Sequence, residues 1–217
     1  MVAQTKETIP ALLLKNISRD MVMAIEEAVI VGAQRAHAAA KGMDDGHLPS
    51  VVGQLRHFHI NETFQHALAA NDASPSPIRG NTIVTGRAGI FTLARFNIKD
   101  GLWVNGRRSK TRRQMSLANM AIEPLVQPGL FGDYQSPSEA VAFFVACFAG
   151  SLKTQPDAPT SIQIAVPDQR MEGWLFKESI EAFAKRYDQK PETQNDLAVP
   201  KLKKDVGKRQ GKDGTTQ

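Results

Sequence analysis

The chain has little cysteine and no long apolar run. Its single cysteine, Cys147, excludes an internal disulfide and any zinc site built on several thiolates. The longest nearly unbroken apolar stretch covers residues 140–150, well short of the roughly 20 residues that a membrane-spanning helix needs. The first residues also lack the apolar core of a signal peptide. These absences predict a protein of the reducing cytoplasm that has no membrane partner.

A phosphate-binding glycine loop is also missing, because Gly80, Gly86 and Gly89 do not have its spacing. What is present is a globular composition: of the 217 residues, 41% are hydrophobic and 23% are charged, so the chain can bury a sizeable core. After residue 188 the chain has no aromatic residue and is rich in polar and charged ones. We therefore expect one globular domain over residues 1–188 and a disordered basic tail over residues 189–217.

Hydrophobic periodicity, interrupted by proline and glycine, predicts helices and strands that follow one another in an irregular order. Helices are expected at residues 19–41, 49–70, 111–123, 137–152 and 173–188. Strands are expected at residues 82–86, 88–98, 102–104 and 161–166. Because helices and strands do not alternate strictly, the predicted fold class is α+β, with a small antiparallel sheet packed by about five helices.

The strongest local signal is the sequence SPSE at residues 136–139. It combines an N-cap serine, a proline at the first helical position and a glutamate placed to complete a capping box. The residues that follow, up to position 152, are largely apolar and carry no charge. This pattern predicts that residues 137–152 form a central core helix that buries Phe144.

Positive charge is concentrated in two places. The net charge is +5, and residues 189–217 supply a surplus of three, from seven basic and four acidic residues. Within the domain, five basic residues and no acidic one lie between positions 107 and 113. Because attraction to phosphate is local and is screened within about 8–10 Å, such clusters indicate binding better than the total charge does.

The two clusters predict a protein that binds nucleic acid, either DNA or RNA, through its phosphates. Arginine offers forked donors to phosphate, and Trp103, just ahead of the basic run, is placed to stack on unpaired bases. Arg112 and Arg113 lie near a predicted helix N-terminus, where the dipole disfavours cations and favours a bound anion. The predicted contacts are Trp103, Arg107, Arg108, Lys110, Arg112 and Arg113, and Lys203 and Lys204 of the tail are expected to add non-specific affinity.

A nuclease-type hydrolase is the first alternative. On a helix over residues 49–70, His59, Glu62 and His66 fall within about 60° of one another, which suits an acid–base pair or a metal. Asp168 follows a predicted strand, a position where nucleases often place carboxylates. One helix rarely supplies a complete site, however, and packing or solvated roles fit the same residues. The sequence assigns no metal site and identifies no cofactor.

The second alternative is a subunit of a protein assembly, in which the basic loop meets an acidic partner or another copy of the chain. This alternative predicts an exposed apolar patch larger than a few hundred Å². A nucleic-acid binder needs instead a continuous positive face, and an enzyme needs carboxylates and histidines that converge in a concave site.

Overall fold

Three layers make up the computed structural model, which describes residues 8–126, 137–151 and 154–188. The helices are α1 (Ile9–Asn16), α2 (Arg19–Ala39), α3 (Leu48–Ala70), α4 (Lys110–Ser116) and α5 (Ile180–Lys185). The strands are β1 (Gly86–Ala88), β2 (Phe91–Lys99), β3 (Ala140–Phe148), β4 (Ser161–Pro167) and β5 (Trp174–Ser179). Shorter 3-10 helices cover Trp103–Arg108, Leu117–Ala121, Glu123–Leu125 and Arg186–Asp188.

The two long helices form where the sequence predicts them. Ser18 caps α2, and its hydroxyl accepts a hydrogen bond from the backbone N–H of Met21 at 3.2 Å. Helix α3 packs closely against α2 because a glycine lies at their contact: a Cβ atom on Gly32 would be 2.7 Å from the Cα of Ile60. A larger side chain at this position would force the two helices apart.

The sheet is mixed, with the strand order β1-β2-β3-β4-β5. Strands β2 and β3 are parallel, whereas the β1–β2, β3–β4 and β4–β5 pairs are antiparallel. The α+β class is therefore confirmed, but the expectation of a purely antiparallel sheet is wrong. A parallel pair needs a crossover connection, and the chain between β2 and β3 supplies it, with α4 lying on one face of the sheet.

The predicted core helix over residues 137–152 is instead the central strand β3, and all nine of its residues are buried. A strand covered on both faces has a continuous apolar sequence that periodicity cannot distinguish from a buried helix. Its valine and phenylalanine residues favour a strand, and this preference outweighs the capping signal. Phe144 is nevertheless fully buried, as predicted.

Three other boundaries differ from the prediction. Residues 102–104 do not form a returning strand, because the 3-10 helix Trp103–Arg108 begins there. The predicted strand over residues 82–86 is reduced to the short strand β1. The predicted helix over residues 173–188 is divided between β5 and α5, because Ser179 caps α5 by accepting a hydrogen bond from Ala182 N–H at 3.2 Å.

Successive side chains of β3 point to opposite faces of the sheet and so enter two separate cores. Ala142, Phe144 and Ala146 pack against α1, α2, α3 and α5, which we call the helical layer. Phe143, Val145 and Cys147 face the other side, where Trp103, Met115 and Ala118 cover them. This second side, residues 102–126, is called the irregular layer, because it contains α4 and three of the 3-10 helices.

Candidate nucleic-acid interface

The irregular layer is anchored to the sheet by a buried asparagine. Asn119 donates hydrogen bonds to the carbonyls of Val141 at 3.1 Å and Pro167 at 2.7 Å, and it accepts one from Val141 N–H at 2.6 Å. These bonds connect the layer to both β3 and β4. The anchor was not recognised in the sequence, since one asparagine in a polar stretch resembles any loop residue.

The guanidinium group of Arg112, in the basic run, makes its contacts within the protein. Its guanidinium donates to the carbonyls of Gly106 at 2.6 Å and Asn105 at 3.2 Å. The same group lies 4.6 Å from the ring centre of Phe96, and burial lowers the pKa of Arg112. The side chain therefore connects the 3-10 helix Trp103–Arg108 to α4, and its donors are directed at backbone carbonyls.

The helix-dipole argument for Arg112 and Arg113 has little weight in the structure. Helix α4 has only seven residues, so Arg113 also belongs to its last turn. The first turn is capped by the Ser109 hydroxyl, which accepts a hydrogen bond from Arg112 N–H at 3.3 Å. An anion site at this helix terminus is not needed to satisfy its backbone.

Three other arginines of the run line an open cleft together with a fourth from another segment. Arg107, Arg108 and Arg113 form one part of its wall, and Arg170 forms another. Val104 and Glu172 complete the lining of this depression of about 510 Å³, which we call the arginine cleft. Lys110 is exposed on α4 beside it. Among the described residues, none makes a hydrogen bond or ion pair with any of the four guanidinium groups.

Asp168 organises the loop that carries Arg170. One carboxylate oxygen accepts hydrogen bonds from the N–H groups of Arg170 at 2.9 Å and Glu172 at 3.0 Å, and the other accepts from Gly173 at 2.5 Å. Met171 has a positive φ of 56° and buries its side chain against the sheet. The Asp168 carboxylate, a candidate for catalysis, therefore accepts hydrogen bonds from the turn and stabilises it.

Arg170 is the cleft residue that sequence reasoning missed as a binding residue. Its only sequence signal is its place in the loop after a predicted strand, two residues beyond Asp168. The Glu123 carboxylate holds the loop against the irregular layer by accepting hydrogen bonds from the backbone of Gln169 at 2.7 Å and from its side chain at 2.9 Å. This contact between distant parts of the chain brings Arg170 close to the basic run.

Trp103 is not a free stacking platform. Its ring packs edge-on against Trp174 at 5.1 Å between ring centres. The ammonium group of Lys177 lies 4.6 Å from the centre of the same ring, an arrangement typical of a cation–π contact. Trp103 thus joins the irregular layer to β5.

The histidine candidates lie on α3, in the helical layer. His59 Nδ1 is 3.3 Å from a carboxylate oxygen of Glu62, and both Glu62 and His66 are exposed. Asp168 lies on the loop after β4 and does not join them. Within residues 8–126, 137–151 and 154–188, no group of three or more His, Cys, Asp or Glu side chains is arranged to hold a metal.

Lys203 and Lys204, predicted to add affinity, lie outside the described residues, as does the whole segment 189–217. In the part of the chain that is described, no helix has both the length and the apolar character that a membrane crossing requires. Comparisons of the chain with models of known protein families, with curated proteins and with solved structures each gave no significant match. The geometry of the arginine cleft is therefore the basis for a functional inference.

Proposed function

We propose that this protein binds nucleic acid by contacting its phosphates at the arginine cleft. The observation that carries the proposal is the convergence of four guanidinium groups, none of them paired with a described carboxylate. Guanidinium forks match phosphate oxygens in geometry and in charge. Four such groups around one open depression repel one another and attract a polyanion.

The contacts proposed here are to the backbone of the nucleic acid rather than to its bases. The lining of the cleft is charged except for Val104, and the ring of Trp103 is already in contact with Trp174 and Lys177. Phosphate contacts position a protein on nucleic acid but carry no sequence information. We therefore expect binding that depends strongly on salt and weakly on base sequence.

Lys110 and the tail lysines Lys203 and Lys204 are part of the same proposal as additional, non-specific contacts. A cytoplasmic location also belongs to it, because the thiol of Cys147 is buried and unpaired with another cysteine, which suits a reducing compartment.

A titration against single- and double-stranded DNA and RNA of two unrelated sequences, each at two salt concentrations, tests the proposal. Four duplex phosphate contacts predict that log K falls by about 3.6 per tenfold increase in salt, at about 0.9 per contact. Affinities for the two sequences should agree within a few-fold. Absence of measurable binding at low salt to every one of these probes would refute the proposal.

A protein-assembly role is the second candidate, and one observation favours it. Five large apolar side chains of the irregular layer are 44–64% exposed: Leu102, Val104, Leu117, Met120 and Val126. Exposed apolar residues around a charged cleft are typical of protein interfaces. The double variant Leu117→Ser/Met120→Ser should abolish concentration-dependent association in sedimentation if this role is correct. Met23→Ser/Met43→Ser, at two exposed methionines outside the irregular layer, is the matched control.

A further inference from the structure

A second group of cationic and polar side chains is buried between α3 and β2. Arg95, on β2, is 3% exposed, and Arg56, on α3, is 6% exposed. Arg95 donates hydrogen bonds to Asn61 Oδ1 at 2.7 Å and to the backbone oxygen of His57. These contacts place the Arg56–His57 turn of α3 directly over the middle of β2.

Arg56 is enclosed differently, at the end of β3. Its guanidinium carbon lies 4.0 Å from the ring centre of Phe148, and its terminal nitrogens donate to the backbone oxygen of Pro156 and to Gln155 Oε1 at 3.4 Å. All of these acceptors are neutral. Among the described residues, no carboxylate forms an ion pair with Arg56 or Arg95.

Four polar atoms in this region are buried without a hydrogen-bond partner among the described residues. They are the Nε atoms of Arg56 and Arg95, Nε2 of His57 and Oδ1 of Asn97, each exposing less than 1 Å². Buried polar groups are almost always paired in folded proteins, so four unpaired atoms at one interface point to a bound species. The two arginine Nε atoms donate hydrogen bonds, and the Asn97 amide donates if its oxygen and nitrogen exchange places, whereas the neutral His57 ring, which is hydrogen-bonded to the backbone of Asn81, accepts at Nε2.

The register of the sheet brings these groups around one small side chain. Asn97 is paired with Ala146 across the parallel β2–β3 pair, and Arg95 is two residues away on the same face. Phe148, which lies beneath Arg56, is two residues beyond Ala146 on that face of β3. By register and contact, Arg56, Arg95 and Asn97 therefore lie on the helical side of the sheet close to Ala146, a residue whose side chain fills little volume.

The charge of this region is positive and uncompensated at neutral pH. Burial lowers the pKa of Arg56 and lowers that of Arg95 to about 9, and a guanidinium group keeps its proton at neutral pH in proteins. Burial, with the nearby charge of Arg95, also lowers the pKa of His57. A buried charge without a counter-charge is strongly unfavourable, and an anion would remove that penalty.

We propose that a small monovalent anion of the halide class binds between α3 and β2, held by Arg56, Arg95 and the Asn97 amide. A single-atom ion suits donors that expose so little surface, whereas phosphate would need a wider opening. Asn97 is only half-buried, so this side of the site is the least enclosed. The site is separate from the arginine cleft, which lies on the irregular layer.

Crystals grown in sodium bromide test the site directly. Anomalous scattering at the bromine edge should show one peak within hydrogen-bonding distance of Arg95 Nε. Ordered water without anomalous signal at this position would overturn the proposal.

Thermal unfolding with bromide exchanged for gluconate at constant ionic strength provides a second test. Above its dissociation constant, each tenfold increase in bromide should raise the folding equilibrium constant of the wild type tenfold. Asn97→Asp supplies a fixed carboxylate in place of the ion and should abolish this dependence. Gln54→Glu adds the same charge on an exposed part of α3 and should keep it. Equal bromide dependence in Asn97→Asp and wild type would contradict the proposal, and the crystallographic arm decides it if that variant does not fold.

Discussion

Among the described residues, the exposed ion pairs lie on the helical side of the sheet. On the helical side, Arg19 pairs with Asp188 at 2.9 Å, Lys185 with Glu181 at 3.0 Å and Arg186 with Glu178 at 2.7 Å. On the irregular side, four arginines share a cleft and none is paired with a described acid. Exposed ion pairs contribute little stability, so the difference matters for binding. This difference is the reason for proposing the irregular layer as the surface that contacts an anionic partner.

The two faces also differ in the regularity of their backbones. The helical layer contains α2 and α3, with 21 and 23 residues. The irregular layer has only seven residues of α-helix and depends on side chains such as Asn119 and Arg112 to hold its loops. Regular packing on one side thus supports an irregular surface on the other, where binding residues are usually found.

The largest effect is expected at the sheet that both faces share. Phe144→Ala should lower the free energy of unfolding by about 3–5 kcal/mol, because a large core side chain is removed. Phe144 is fully buried and lies 6.3 Å from Phe64 between ring centres. Phe58→Ala is the control, since Phe58 is 38% exposed and should change stability by less than about 1 kcal/mol. Similar losses from both variants in urea titrations would contradict the position of the core.

The Trp103→Ala variant distinguishes a packing role of the Trp103 ring from a base-stacking role. We expect a loss of about 1.5–3 kcal/mol in unfolding free energy, because half-buried contacts with Trp174 are removed. Affinity for single strands, measured at a temperature where the variant is folded, should stay within about twofold. A stacking role would instead lower single-strand affinity by about 1–3 kcal/mol and leave stability unchanged.

Arg112 and Arg113 are neighbours in sequence but should behave differently. Arg112→Ala removes hydrogen bonds to two carbonyls and should lower the free energy of unfolding by about 1–3 kcal/mol. Arg112→Lys should not restore it, because an ammonium group cannot reproduce the fork. Arg113→Ala should change stability by less than about 0.5 kcal/mol. Equal denaturation midpoints for the Arg112 and Arg113 variants would remove the structural role assigned to Arg112.

The α+β class and the positions of α2, α3 and β4 follow from the sequence, because the Ser18 cap of α2, the proline at the start of α3 and the apolar alternation of β4 agree with the tertiary structure. The error at β3 has a physical origin: a strand buried on both faces has no alternation, so the capping signal of residues 136–139 competed only with the strand preference of its valine and phenylalanine residues. Correct prediction of β3 needed the knowledge that α4 and its flanking segments cover one face, and this is a property of the whole fold.

The candidate site was predictable only in part. The basic run at residues 107–113 was evident from charge, and three of its arginines do line the cleft. The different roles of Arg112 and Trp103 depend on contacts with Gly106 and Trp174 that no sequence spacing encodes. Arg170 reaches the cleft because Asp168 and Glu123 fix its loop, again through contacts between distant segments.

The most direct test of the account compares two charge-matched double variants, one from each face. Arg108→Ala/Arg113→Ala removes two cleft arginines, and Arg35→Ala/Lys41→Ala removes two exposed cations of α2 and the turn after it. Each variant changes the net charge by the same amount, so a general attraction to polyanions is weakened equally in both.

For duplex binding, the slope of log K against log salt should become shallower by about 1.8 in the Arg108→Ala/Arg113→Ala variant, at about 0.9 per lost phosphate contact. The Arg35→Ala/Lys41→Ala variant should retain the wild-type slope, and its affinity should fall only slightly. Equal salt slopes in the two variants would contradict the central claim that the unpaired arginines of the irregular layer contact phosphate.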